Sequence, residues 1–292
     1  GDMLLTAGET TANSQVGGLV QITAGLGSST TAGHGGHIAV MGGEGSGATG
    51  GSISLSSGYS TPKSSGSVLL KSVDAGISGV SGSLTFQSGT TSNGASGSIM
   101  IQTGAATNGR GGDIVLSVGK SKTDMGGDII FEAGDSEPLT GGAISLSTGE
   151  GTASTSGLIV VKSVDAGTSG VSGSLQFTSG TTSGGSSGAI TVATGSATGG
   201  KGGDVLVSVG SGTAGVGGDV SVSAGTSTAS SGGSLLLSAG YSTPSTSGSI
   251  SVRTVNAGAS GVSGSLSFIT GTTSNGASGS IMIQTGAATN GR

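Results

Sequence analysis

Apolar residues in this chain recur in register rather than at random. The repeated phrase is two small residues, then apolar-x-apolar, then two residues and usually Gly, as in Gly111 to Gly119. Its first apolar position falls at Met3, Val20, Ile38, Ile53, Val68, Leu84, Ile99, Ile114, Ile129 and Ile144. It continues at Ile159, Leu175, Ile190, Val205, Val220, Leu235, Ile250, Leu266 and Ile281, nineteen positions in all. From Ile53 onward the step is 15, except for 16 after Val68, Ile159 and Ile250. Six steps close a longer period of 91, so Lys71 to Phe86 returns as Lys162 to Phe177 and as Arg253 to Phe268.

Alternation with period two is the pattern of a strand with one buried face, and no segment has helical spacing. Each short strand has too little apolar surface to stand alone, so a fixed period predicts stacking on the neighbouring repeats. The pattern therefore predicts an all-β fold, a parallel β-solenoid (β-helix) of 15–16-residue coils with about 19 rungs and a six-rung super-repeat. The core is expected along one inner wall. Its pairs are Ile53 and Leu55, Val68 and Leu70, Leu84 and Phe86, Ile99 and Ile101, and Ile114 and Leu116. They continue as Ile129 and Phe131, Ile144 and Leu146, Ile159 and Val161, Leu175 and Phe177, and Ile190 and Val192. One continuous rod is expected: 1–52 diverged first rungs, 53–143 and 144–234 full super-repeats, and 235–292 a partial third. In each longer block a Phe follows the extra residue (Phe86, Phe177, Phe268), and a larger coil is expected to make room for the ring. A bulge shaped for an outside partner is the rival reading.

Composition narrows the function classes. The 292 residues include 66 Gly, 3 Pro and no Cys or Trp, with 32% hydrophobic and 8% charged residues. Disordered chains carry the opposite balance of charge and hydrophobicity, so composition points to a folded chain with a thin aliphatic core. A net charge of −5 argues against a nucleic-acid backbone as partner. No apolar run is long enough for a transmembrane helix, and the absence of Cys rules out a disulfide framework.

Candidate chemistry is sparse. His34 and His37 form an HxxH, but with no Cys and no helix they read as polar turn residues. Asp113 and Asp128 occupy equivalent places in adjacent blocks, as do Asp204 and Asp219. Stacked strands would hold these carboxylates about 5 Å apart, where they repel unless a cation intervenes. A calcium ion, with its oxygen ligands, would suit them. Arg110 and Lys201, each three residues before an Asp, offer local relief instead. Nothing resembles a catalytic triad, and no enzyme is expected. No Asn-x-Ser/Thr sequon occurs, which leaves O-linked glycans or extracellular polysaccharide as partners for the hydroxyl-rich surface. The outward column Val115, Ile130, Ser145, Val160, Gln176, Thr191 and Leu206 is too mixed for an ice face and apolar enough to suggest burial against a neighbour.

The phrases Gly167 to Leu175, Ser179 to Ser183 and Gly195 to Asp204 resemble the very long Gly/Ser/Thr-rich repeat proteins of diatoms and related algae. That resemblance covers nearly the whole chain and implies a secreted or cell-surface protein of structural or adhesive type. Residues 271–292 repeat 89–110 letter for letter, so the chain reads as part of a longer array or as a unit that stacks end to end. The expected function is a structural component of an extracellular fibre or matrix. The alternative is a monomeric ice-binding or carbohydrate-binding rod.

Overall fold

The computed structural model describes residues 1–137, 139–243 and 245–287; the end of the partial third super-repeat, 288–292, lies outside them. Among the described residues there is no helix and no strand. This overturns the all-β class and the β-solenoid. The chain is an array of bends joined by short segments, and it divides into two units, Gly1–Leu146 and Ser147–Arg292.

The predicted core is absent too. No side chain among the described residues is buried. Every member of the expected pairs, from Ile53 and Leu55 through Ile190 and Val192, is exposed. The accessible surface is 28768 Å² for a 26.8 kDa chain. A compact monomer of that mass would show about 11,000 Å² and a fully unfolded chain about 39,000 Å², so roughly three-quarters of the unfolded surface remains in water. Hydrogen bonding agrees: eleven backbone–backbone bonds form among the described residues. A folded chain of this length would make roughly two hundred.

The register survives without the sheet. Each regular block has one bend, at 61–63, 77–79, 92–94, 107–109 and 122–124 in the first super-repeat, and the series continues through 274–276. The bend starts eight residues after the first apolar position, or nine in the longer blocks. So the extra residue lies between the apolar pair and the bend. The last bend residue takes a positive φ at Gly79, Gly170 and Gly261 (134°, 141° and 149°), and also at Gly94 (131°) in a regular block. An L side chain rarely adopts that conformation, which accounts for Gly at these places. The extra residue makes no room for a ring, since Phe86, Phe177 and Phe268 are all exposed.

Local closure competes with a stack in the blocks whose necks close. Eight of the eleven backbone bonds join one Gly to another across the neck of a bend, as in Gly66 N–H to Gly58 O at 2.8 Å. Six of these necks couple residues eight apart and the first two ten and eleven apart, whereas a coil must couple residues fifteen apart. Loop entropy separates eight from fifteen by only about 0.6 kcal/mol. Burial is what a stack would need to win, and each block supplies one aliphatic pair against the ordering of fifteen residues, several of them Gly.

Candidate functional site

Two features recur at fixed register and are built from side chains or backbone groups that a partner could reach: the Gly-closed necks and the apolar segments between them.

The necks follow from glycine spacing. The second neck position is Gly in every regular block, from Gly66 and Gly82 through Gly264 and Gly279. The first is also Gly except in the three longer blocks, where Val73, Val164 and Val255 stand instead. Backbone groups approach closely there. A Cβ on Gly142 would lie 3.2 Å from Ala133 Cβ and 3.3 Å from Gly134 N, and one on Gly248 would lie 3.2 Å from Gly240 N. Hydroxyls brace the bends from within: Ser60 Oγ accepts from Lys63 N–H at 3.2 Å, and Ser136 Oγ accepts from Leu139 N–H at 3.3 Å. Ser and Thr are favoured at such bends because they bond the backbone a few residues on.

Closure itself obeys the 91-residue period. Necks 43/51 and 58/66 are hydrogen-bonded, and so are 134/142, 149/157, 225/233 and 240/248. Each pair follows the last by 91 residues. The four intervening necks of each super-repeat carry no such bond among the described residues. This two-closed, four-open order was not anticipated. Glycine pairs at a spacing of eight were visible in the letters, but they did not separate closed necks from open ones.

One consequence is local and testable. Gly142→Ala should open its own neck and leave Gly157 bonded to Gly149. An exposed hydrogen bond contributes about 1 kcal/mol at most, so the change stays within one block. Amide temperature coefficients should rise to the solvent-exposed value at residue 142 and hold at 157.

The apolar segments show a graded exposure. The first apolar position is the better shielded in each regular block; Leu175, the most covered of these, is 44% exposed, whereas Leu206 in the middle position is 87% exposed. The longer bends push their own apolar residues fully outward: Ile77 is 110% exposed, and Val262 95%. Large apolar side chains in water at one fixed register are the dominant surface feature of both units. Surfaces of this kind mark sites of association.

With no stacked strands, nothing holds Asp113 over Asp128 or Asp204 over Asp219. Among the described residues no group of three or more His, Asp or Glu side chains is placed to share a metal ion. The local relief does form. Arg110 donates to Asp113 at 2.7 Å and Lys201 to Asp204 at 2.8 Å, the same pair one super-repeat apart. Asp128 and Asp219 have Met125 and Val216 at that offset and make no ion pair among the described residues. Because both pairs are exposed, Arg110→Gln should leave the spectrum and the thermal behaviour of the chain unchanged at any salt concentration. Circular dichroism over a salt series checks this. His34 sits in the bend closed by Gly36 N–H to Gly25 O, His37 just beyond that neck, and both are exposed. No pocket is formed among the described residues. No helix among them is long and apolar enough to cross a membrane.

No family model, no curated protein and no solved structure matches this chain.

Proposed function

We propose that this chain is a non-enzymatic structural component of an extracellular fibre or matrix, with a mechanical or adhesive role. It works by associating with further copies of itself through the apolar segments between its bends. The observation that carries this reading is that the large apolar residues are all exposed and recur in one register, so two chains in parallel offset match block for block. A surface of that kind is costly to leave in water, and association is what removes it. The outward Ile77, Val80, Val171 and Val262 of the longer bends extend the same surface once per super-repeat. Hydroxyl-rich bends keep the array hydrated and suit contact with polysaccharide or O-linked sugars. The likeness of three of its phrases to algal Gly/Ser/Thr-rich repeat proteins supports the same role.

Sedimentation velocity over a concentration series tests the proposal, with electron microscopy of the same samples. The expected result is mass growing with concentration and elongated assemblies on the grid. A chain that stays single at every concentration, while shaping ice crystals or binding a polysaccharide column, would replace this reading with the monomeric alternative.

A further inference from the structure

Beyond assembly, we infer that three bends of this chain are sites of spontaneous covalent modification, at Asn93, Asn108 and Asn275. Each of these residues is followed by Gly, and each Asn-Gly pair lies in a bend: 92–94, 107–109 and 274–276. A fourth pair, Asn290 and Gly291, lies outside the described residues. The two other asparagines precede side-chain-bearing residues, Ser14 after Asn13 and Ala257 after Asn256.

The chemistry needs a backbone nitrogen free to reach the side-chain amide. In the first bend the Gly94 nitrogen attacks Asn93 Cγ, the bond from Cγ to the amide nitrogen breaks, and ammonia leaves with the transferred proton. The resulting cyclic imide is opened by water at one of its two carbonyls, giving aspartate or isoaspartate. No oxidant, reductant or metal is required. Water and hydroxide are the only co-reactants.

Four observations favour the reaction at these three places. The Asn side chains are exposed. The N–H groups of Gly94, Gly109 and Gly276 donate to no protein acceptor among the described residues, unlike Gly185, whose N–H is held by Thr182 Oγ1 at 3.2 Å. No backbone crowds the attacking glycines: nothing lies within 4 Å of a Cβ built on Gly109, and only a Thr hydroxyl approaches one on Gly94 (Thr91, 3.9 Å) or on Gly276 (Thr273, 3.5 Å). Finally, all three pairs fall in bends whose necks carry no hydrogen bond, so the backbone is free to rotate into the reactive geometry. The six closed necks that follow the 91-residue period enclose no Asn.

Each conversion adds one negative charge to a chain of net charge −5 and only 8% charged residues. At Asn108 the new carboxylate arises two residues before Arg110, whose guanidinium already holds Asp113.

The test is incubation of the freshly purified full chain in mildly acidic and mildly alkaline buffer. Isoelectric focusing and peptide mass spectrometry, with isoaspartate located by fragmentation, read the outcome. Trypsin places Asn93 and Asn108 in the peptide after Lys71, and Asn275 in the peptide after Arg253, so the repeats are distinguished. The expected result is an acid shift that is faster in the alkaline buffer, with amide loss at Asn93, Asn108 and Asn275 and none at Asn13 or Asn256. The time course should match that of a free peptide spanning residues 104–112, and Gly109→Ala should suppress conversion at Asn108 alone. Amides retained at the three sites while the peptide converts would overturn the assignment. So would equal loss at Asn13, Asn93, Asn108, Asn256 and Asn275.

Discussion

A dilute solution of the single chain is expected to warm from near freezing to boiling without a cooperative transition. Cooperative melting and the steepness of denaturant unfolding both scale with the surface exposed on unfolding. Here roughly three-quarters of the unfolded surface is already in water, so little remains to be exposed. A stacked core of the size first expected would instead give a sharp heat-absorption peak, with an enthalpy of order 0.7 kcal/mol per residue. Scanning calorimetry at low protein concentration separates the two outcomes. The expected trace is flat, and the same chain at high concentration should acquire a transition as association buries the apolar segments.

The second large effect concerns association itself. Replacing Ile114, Ile129 and Ile144 by Asp should weaken self-association by about a hundredfold or more. A fully buried aliphatic side chain contributes about 1.5–3 kcal/mol, and these three start half shielded, which leaves about 1 kcal/mol each to gain. Losing about 3 kcal/mol shifts a dissociation constant by roughly two orders of magnitude. Putting a charge into the interface adds further to the loss. Sedimentation velocity reads the change directly. The dilute variant should keep the circular dichroism of the parent, because no contact within the single chain depends on these residues being buried. If the variant assembles as the parent does, the apolar segments are not the contact surface.

How much of this was legible in the letters can be judged residue by residue. The period was readable: bends at 107–109 and 122–124 sit eight residues after Ile114's predecessor Ile99 and after Ile114 itself, as a repeat of 15 demands. The extra residue of the longer blocks shows as a bend that starts nine rather than eight residues after Val68, Ile159 and Ile250, but the Phe rings it was expected to house stay exposed. The ion pairs from Arg110 and Lys201 were visible as opposite charges three residues apart, each pair just past a bend (107–109 and 198–200).

What the pattern could not settle was the partner of each segment. Alternation at Ile114, Val115 and Leu116 says that one face prefers to leave water, but it does not say whether another block of this chain or a second molecule covers it. The stack at first expected took the former for granted. Glycine at 134 and 142 decides otherwise locally, since the neck closes on its own block before a neighbour fifteen residues away can pair. With the stack went the carboxylate ladder, because only paired strands would have brought Asp113 and Asp128 together. The closed and open necks follow the super-repeat in the hydrogen bonds, yet their glycines are spaced alike in both classes.

Bends, and not a hydrogen-bonded sheet within one chain, carry the repeat register. Amide hydrogen exchange on the dilute, single-chain species tests it most directly. Near-unprotected exchange is expected at Ile114, Leu116, Ile129 and Phe131, with slowing of no more than about fivefold at neck residues such as Gly66 and Gly142, the worth of one exposed hydrogen bond. Strong protection at those four apolar positions in the single chain, repeated block after block, would contradict it.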